Sequence, residues 1–470
     1  MTPDGLQSNY YFGGGGDTLI TPAGLVIFLV GVCLILTLPR KYVIVPLLAV
    51  GLLTPLGEKI VISVFHLMIY RLIILVGWIR IVCRRSSAEP IVPRLNKLDK
   101  AFLAWAVANA VMYVFLWGPE AIVNKLGFLY TTLGAYFLLR HLIRDREDVI
   151  RTIRVLSLVM FVIAVFMFRE HQTGHNSFAT IGGVAEISEV RDGSIRAKGP
   201  FSHSIIAGTV GAMLIPLFVA LWREGKRNRL VAGGGLLAAI LMMISCASST
   251  PIMTSAAGIL ALCFWPMRQG MRKVRWGIVF ALIGIQMFMK VPIWFLLGKA
   301  SGVLGGTGWH RAVLIDEFVH RFFEWWLIGT RNNANWGLDM WDCINAYVNA
   351  GVEGGLVTFV LFLALVTYAY KAVGKARRFA RRSGRDEYLI WCIGSSLFAN
   401  TVAFFGIIYF DQSVIVWYAL LVMICAIAKS VGRPIGRPTI ATSKQLRIET
   451  LLDVDSEPAT ATTSGVQWSE

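Results

Sequence analysis

Apolar runs long enough to span a bilayer recur along the whole sequence and constrain its fold more than any other feature. Most measure roughly 17 to 22 residues, the helix length that crosses a hydrocarbon core about 30 Å thick. Hydrophobic residues make up 56% of the 470 positions, whereas a soluble protein of this size needs a more polar surface. We therefore expect an all-α polytopic membrane protein.

The runs predict about 12–13 transmembrane helices, at approximately residues 20–38, 42–57, 60–82, 101–117, 121–139, 153–168, 204–222, 230–247, 251–266, 277–297, 355–372, 388–408 and 413–429. Residues 1–19 carry no Lys or Arg, so the first run is predicted to be a retained helix rather than a cleaved signal peptide. Residues 1–19 would then be an outer N-terminal segment, and residues 20–429 the transmembrane domain. The polar, Ser- and Thr-rich residues 430–470 are predicted to form a flexible cytoplasmic tail.

The formal net charge of +17 lies mostly in short connections between the apolar runs. Every second connection is rich in Lys and Arg, and the alternate short connections carry none. Because cytoplasmic loops collect positive charge, we expect the N-terminus outside and the C-terminus in the cytoplasm. This distribution attributes the charge to membrane topology, and no nucleic-acid partner is expected.

Two predicted outer connections, about residues 169–203 and 298–354, are much longer than the others and rich in Gly, His, Arg and aromatic residues. Connections beyond about 15 residues in a compact protein are usually functional or disordered. The aromatic content of these two argues against disorder. We therefore place the functional site on them, and we expect the second loop to be partly helical.

In the first outer loop, Arg191, Arg196 and Lys198 lie close together, beside Gly193 and Gly199. Arginine binds phosphate through paired hydrogen bonds, and glycine lets backbone amides approach a ligand. A helix predicted to start near residue 204 adds positive potential from its amino end. In the alternative interpretation, the cations contact anionic lipid headgroups or pair with acidic residues of the same loop, namely Glu186, Glu189 and Asp192. The nearby His203 either binds substrate or lies at the membrane interface.

Residues 309–327 of the second outer loop carry apolar side chains at spacings of three and four, which predicts an amphipathic helix at the membrane surface. Its charged residues are either a solvated face or part of the site. The functional hypothesis selects Arg311, which follows a Gly-rich hinge and would approach the arginines of the first loop. Arginines on both loops suggest a diphosphate or a similarly anionic ligand between them.

No metal or cofactor is expected. His171 and His175 are four residues apart without supporting carboxylates, the seven Cys residues are scattered, and no Walker-type or dinucleotide motif occurs. Within the predicted third span, Arg71 and His66 should face the bundle interior or an aqueous cavity. Glu58 and Asp411 are candidate partners of Arg71, although Asp411 is equally interpretable as a turn residue.

Three segments of the loops together resemble the O-antigen ligase/polymerase superfamily of bacterial envelope membrane proteins. RAKGPFSHSIIAG is similar to the family's Arg-x-x-Gly-x-Phe segment before a membrane helix. GWHRAVLIDEFVHRFFEWWLIGT is similar to its Arg-initiated helix in the large outer loop. DCINAYVNAGVEGGLVTFVLF is similar to its Asn-x-Tyr and Gly-x-x-Gly entry to the next helix. The resemblance covers most of the chain at the level of layout.

The resemblance implies a metal-independent glycosyltransferase of the integral-membrane (GT-C-like) class in the bacterial cytoplasmic (inner) membrane. Such a protein transfers a glycan from a polyprenyl-diphosphate-linked donor to a hydroxyl of a glycan, lipid or protein acceptor, in cell-surface polysaccharide biosynthesis. Carried over to this chain, Arg196 and Arg311 would hold the donor diphosphate and stabilise charge on the leaving group.

One position departs from the family, whose ligases place a His before the Asn of the third segment, where this chain has Ile344. The nearest ionisable group on that helical face is Asp342, three residues before Asn345. Asp342 is therefore either the base toward the acceptor or the N-cap of the next membrane helix. The further substrate-binding candidates are Arg191, Lys198, His203, His310, Arg331 and Asn345. The alternative function is a transporter for an anionic solute, although no internal repeat or pair of broken helices is evident.

Overall fold

A computed structural model of the chain describes residues 18–62, 65–84, 94–191, 193–302, 308–338, 340–341, 343–381 and 383–432. Within these ranges the protein consists of packed helices and two short hairpins. The predicted N-terminal segment lies outside the described residues apart from residues 18–19, and the predicted tail does so apart from residues 430–432. The candidate base Asp342 also lies outside them.

The helices of the first half are α1 (Pro22–Thr37), α2 (Ile44–Leu53), α3 (Ile69–Cys83), α4 (Lys97–Trp117), α5 (Ala121–Leu142), α6 (Arg146–Thr173) and α7 (Ser204–Arg223). Those of the second half are α8 (Lys226–Ser245), α9 (Ser249–Cys263), α10 (Met271–Phe288), α11 (Phe295–Gly302), α12 (Gly308–His320), α13 (Phe322–Trp325), α14 (Ala346–Ala380), α15 (Gly384–Ala403) and α16 (Val414–Gly432). The antiparallel hairpins pair β1 (Lys59–Ile62) with β2 (Phe65–Met68) and β3 (Glu189–Arg191) with β4 (Ser194–Arg196).

Six helices in the described part of the chain are long and apolar enough to cross a membrane, namely α4, α5, α6, α7, α8 and α14. A seventh span results if α9 and α10, which are bent by 74° relative to each other, are counted as one broken span. By length and composition, this set is compatible with a multi-pass membrane protein. The count of 12–13 spans stays a prediction.

The predicted second and third spans differ from the observed elements. Helix α2 has only ten residues, a length of about 15 Å that is half of a hydrocarbon core. The run over residues 60–82, predicted as one helix, begins with the β1–β2 hairpin and becomes helical only at Ile69. The β-branched residues Ile60 and Val61 suit an extended strand, which periodicity alone does not distinguish from a helix in an apolar run.

Arg71 therefore lies in the first turn of α3 rather than in the middle of a span, and its partners are neutral. Its guanidinium donates to the Thr131 hydroxyl at 3.0 Å and to the His66 carbonyl at 2.9 Å. Neither of the two proposed carboxylates, Glu58 and Asp411, is an ion-pair partner of Arg71 within the described residues.

Helix α7 is the centre of the bundle, because nearly all of its residues are buried. It packs against α8, α9 and α15, while α8 also packs along α6 and α4 packs along α14. The segments before α7 and between α8 and α9 are thereby brought together at one end of the bundle. Helix α10 differs from the others, since none of its residues is buried.

Helix α14 is kinked at Gly355, which has a φ of +67°. The spacing of Gly351 and Gly355 predicts close packing against another membrane helix. A Cβ atom at Gly351 would instead lie 2.6 Å from the Phe318 ring, and one at Gly355 would lie 2.6 Å from the Leu327 carbonyl oxygen. The two glycines therefore leave room for side-chain and backbone atoms of the second outer loop.

Candidate functional site

The segment that carries Arg196 is held in place by Glu170, near the end of α6. Glu170 is fully buried, and its carboxylate accepts hydrogen bonds from the backbone N–H groups of Lys198 at 3.0 Å and Gly199 at 2.8 Å. The Ser188 hydroxyl donates to the same carboxylate at 2.8 Å. Backbone and hydroxyl donors thus satisfy this buried carboxylate, and they fix the turn that follows β4.

Arg196 is buried, with 5% of its surface exposed, and faces Glu189 across the β3–β4 hairpin. The predicted ion pair with Glu189 is present, but the distance from Nη1 to Oε1 is 3.4 Å. A strong charge-assisted hydrogen bond measures about 2.7–2.9 Å. The Nε atom of Arg196 is buried without a hydrogen-bond partner among the described residues. Arg196 therefore retains donor capacity for a ligand.

The last residue of α8, the connection that follows and the first two residues of α9 (residues 245–250) form the α8–α9 corner. It contacts the Arg196 segment, because the Ala197 N–H donates to the Ser245 carbonyl at 2.9 Å. The Ser245 hydroxyl is buried and has no partner in the described part of the chain. Ala247 has a φ of +44°, in the left-handed region that is uncommon for residues other than glycine. Such backbone strain occurs preferentially at functional sites.

Arg311 reaches the other end of the α8–α9 corner. It lies on α12 with 5% of its surface exposed, and its Nη2 donates to the Thr250 hydroxyl at 2.7 Å. Within the described residues its Nε is buried without a hydrogen-bond partner, and no acidic residue pairs with Arg311. Burial lowers the pKa of Arg311, yet an arginine stays charged at physiological pH. Arg311 is thus a buried cation without a counterion among the described residues.

Arg311 lines a small, partly open cleft between α9, α12 and the end of α15. The other lining residues are Thr250, Met253, Thr254, Val402, Phe405 and Gly406. Burying a charge is unfavourable unless it is paired. The geometry therefore suits an anionic group that would complete the coordination of the guanidinium.

Asn345 occupies the position that one interpretation gave to Asp342. Its side-chain oxygen accepts hydrogen bonds from the N–H groups of Tyr347 at 3.0 Å and Val348 at 3.2 Å, so Asn345 is the N-cap of α14. The interpretation of Asp342 as N-cap is therefore wrong, because Asn345, three residues further along the chain, fills that position. The Nδ2 group of Asn345 is buried without a partner among the described residues.

His203 caps α7, and its Nδ1 accepts from the Ile205 N–H at 3.3 Å. Arg191 is exposed on β3, and Lys198 is partly buried beside Gly199. His310 is partly buried and precedes Arg311 on α12. The remaining candidate, Arg331, is exposed and donates to the Leu116 carbonyl at the end of α4 at 2.6 Å. No direct contact joins Arg331 to the α8–α9 corner among the contacts described.

The described residues contain no group of three or more His, Cys, Asp or Glu side chains that could hold a metal ion. His171 shares a hydrogen bond with the Ile195 carbonyl at 2.8 Å, and His175 lies 3.7 Å from Glu186. His171 thus contacts the β3–β4 hairpin, and His175 contacts the segment just before it.

Sequence reasoning missed Glu170, Thr250 and Gly406. Glu170 contacts a residue 29 positions away, and Arg311 contacts one 61 positions away, so spacing along the chain does not reveal either pair. The only available signal for Thr250 was the cluster of small hydroxyl residues in SCASST, between two apolar runs.

The chain matches no protein-family model and no curated protein at a significant level. The resemblance to the O-antigen ligase/polymerase superfamily therefore depends on the three segments alone. In the structure these segments are the β4–α7 connection with Arg196, helix α12 with Arg311, and the entry to α14 with Asn345.

Proposed function

We propose that the protein is a membrane glycosyltransferase of the glycan polymerase or ligase type. It transfers a glycan from a polyprenyl-diphosphate donor to an acceptor hydroxyl on the outer face of the cytoplasmic membrane. The observation that carries this proposal is the buried Arg311, which has no acidic partner among the described residues and lines a cleft at the α8–α9 corner. The Arg196 segment contacts the other end of the same corner. A diphosphate carries two anionic groups, one for each arginine.

In this reaction the acceptor oxygen forms a bond to the anomeric carbon, and the bond between that carbon and the diphosphate oxygen breaks. The bonding electrons pass to the diphosphate, which leaves with additional negative charge. Arg196 and Arg311 would stabilise that charge in a partly dehydrated site, where such interactions are strongest. The acceptor hydroxyl gives its proton to a base. We assign this role to Asp342, because Asn345 already caps α14.

The test is to replace Arg196 and Arg311 by Ala, each in the full-length protein, and to measure polyprenyl-linked glycan and surface glycan in cells. Both variants should accumulate lipid-linked glycan and lose surface glycan at unchanged protein abundance. Arg321→Ala is the matched control, because Arg321 pairs only with the neighbouring Glu317 and Glu324 among the described residues. Normal surface glycan in both the Arg196 and Arg311 variants would overturn the proposal. Asp342→Asn should resemble the arginine variants if Asp342 is the base.

A transporter for an anionic solute is the second candidate, and one observation favours it. Helices α9 and α10 are bent by 74° relative to each other, and discontinuous helices are a feature of transporter binding sites. Deletion of the gene separates the two functions. Unchanged lipid-linked glycan with altered uptake of an anionic solute would support the transporter.

A further inference from the structure

A second group of arginines lies at the opposite end of the bundle from Arg311. Helix α15 ends at Ala403, close to the Gly406 that contacts Arg311, and its 20 residues span about 30 Å. Around the start of α15 lie four arginines, named here the basic end cluster: Arg268, Arg275, Arg377 and Arg381. The first two flank the start of α10, and the last two mark the end of α14.

The basic end cluster contains more positive than negative charge. The charged groups that act on Arg377 are Glu387 and the other three arginines of the cluster. Glu387 also accepts from Arg268 at 3.4 Å, so one carboxylate faces both Arg268 and Arg377. The Nε atom of Arg377 is buried and has no hydrogen-bond partner among the described residues. Like charges at this density repel each other, and an added anion would stabilise them.

Two tryptophans hold part of the cluster in position. The Arg268 guanidinium lies 4.2 Å from the Trp265 ring centroid, and that of Arg377 lies 5.4 Å from the Trp391 ring centroid. The two indole rings contact each other edge to face at 5.8 Å. Tryptophan is enriched at headgroup depth, where an apolar ring and a polar edge are both accommodated. The cluster therefore has the composition of a site at a membrane surface.

Helix α10 provides an apolar surface next to the cluster. It begins close to Arg275, and none of its residues is buried. Trp276 is 55% exposed and Phe280 is 65% exposed, and their rings contact each other at 5.9 Å. An apolar helix that none of the described residues covers, and that starts at a group of arginines, complements a molecule with an anionic head and long apolar chains.

We propose that the basic end cluster binds the phosphate headgroup of an anionic phospholipid, with the acyl chains lying along α10. Basic pockets at the cytoplasmic ends of membrane helices bind anionic headgroups by charge complementarity. The loop charges predict that this end of the bundle faces the cytoplasm. The proposed lipid site is independent of glycan transfer, because it lies a bilayer's thickness from Arg311.

The test uses the full-length protein in detergent and counts lipids retained in native mass spectrometry, with phosphatidylglycerol and phosphatidylcholine offered in equal amounts. The wild-type protein should retain several-fold more phosphatidylglycerol. Arg275→Gln combined with Arg381→Gln should abolish this preference, and because both side chains are exposed the fold should persist. The matched control is Arg227→Gln combined with Arg229→Gln, two exposed arginines at the start of α8, which should retain the preference.

Equal retention of the two lipids by the wild-type protein would overturn the proposal. An equal loss in both double variants would do the same, because it would indicate attraction by overall charge. A third measurement separates a lipid from free phosphate as the ligand. If inorganic phosphate raises the unfolding temperature as much as phosphatidylglycerol does, the site recognises phosphate alone and the assignment to a lipid fails.

Discussion

Arg311 and Thr250 are joined by a hydrogen bond of 2.7 Å between a guanidinium on α12 and a hydroxyl in the first turn of α9. This contact fixes the helix of the second long loop on the α8–α9 corner. The Ala197 N–H bonds to Ser245 at the other end of that corner. Two loops that are distant in the sequence are thus attached to one connection of six residues, and both of their buried arginines keep an unpartnered Nε among the described residues.

Gly406→Ala should reduce glycan transfer by about 3- to 10-fold, less than the roughly 100-fold loss that accompanies a misplacement of about 1 Å. A Cβ atom at residue 406 would lie 3.1 Å from Cζ and 3.2 Å from Nε of Arg311, which is closer than normal contact. The Arg311 guanidinium must therefore shift by a few tenths of an ångström. The measurement is conversion of lipid-linked donor in membranes. Gly374→Ala is the control, because an added Cβ meets no atom within 4 Å there. Wild-type activity of the Gly406 variant would argue against a role for Arg311.

Glu170→Gln should destabilise the protein by about 1–3 kcal/mol, the usual penalty for leaving buried hydrogen-bond donors unsatisfied. One carboxylate oxygen accepts from Ser188 and Lys198, and the other accepts from the Gly199 N–H. An amide supplies only one acceptor oxygen, and its NH₂ group would face a donor. The unfolding temperature in detergent measures the effect.

Glu186→Gln is the control for Glu170→Gln, since the Glu186 side chain is 73% exposed and belongs to the first outer loop. If the variants at 170 and 186 unfold at the same temperature, the Glu170 carboxylate does not hold the Arg196 segment.

The sequence predicted well those features that depend on a helix-length apolar pattern. Helices α4 to α8 begin and end within several residues of the predicted runs, because a continuous apolar run of about 20 residues has few other stable conformations in a membrane. The β1–β2 hairpin was missed because its run is equally apolar, so periodicity did not separate a strand from a helix. The predicted number of spans therefore depends on whether such short runs are assigned to helices or strands.

The candidate site was predictable only in part. Arg196 and Arg311 were selected from their residue type and loop position, and both are buried next to the α8–α9 corner. Their neighbours Glu170 and Thr250 were not selected, since these contacts arise from the packing of α6, α8 and α9 around α7. The Asn345 cap was also missed, because Asp and Asn are both good N-caps and the start of a helix is poorly fixed by sequence.

Glu353, near the start of α14, forms an ion pair with the buried Lys125 of α5 that a double-mutant cycle can measure. The Lys125 ammonium lies 3.4 Å from the Glu353 carboxylate, and its side chain is 8% exposed. It also lies 3.7 Å from the Tyr113 ring centroid and 5.0 Å from that of Phe128. Glu353→Gln leaves this ammonium poorly compensated, which should destabilise the protein by about 1–3 kcal/mol after allowance for the partial exposure of Glu353.

Lys125→Met combined with Glu353→Gln should recover most of that loss, because a neutral apolar chain suits the aromatic surroundings. The free energy of unfolding of the wild-type protein, both single variants and the double variant gives the coupling between the two residues. Additive effects would show that the pair does not contribute to stability.

Glu58 gives the fold a dependence on pH that has a definite sign. Its fully buried carboxyl accepts from the Thr21 N–H at 3.3 Å, and burial raises its pKa above the ordinary value of 4.5, while the bonds from Thr21 lower it to a smaller extent. Glu58 therefore keeps its proton to a higher pH in the native state than in the unfolded state. The free energy of unfolding is therefore highest below the ordinary pKa of Glu58 and falls as the pH rises through the raised pKa.

Glu58→Gln removes this titration while keeping the size of the side chain and an acceptor for Thr21. The unfolding temperature of the variant relative to the wild-type protein should therefore increase as the pH is raised from about 4 to about 8. Glu120→Gln, at an exposed residue before α5, should show no such trend. A difference for the Glu58 variant that stays constant or shrinks with rising pH would mean that the carboxyl is solvated rather than buried between the start of α1 and the first long loop.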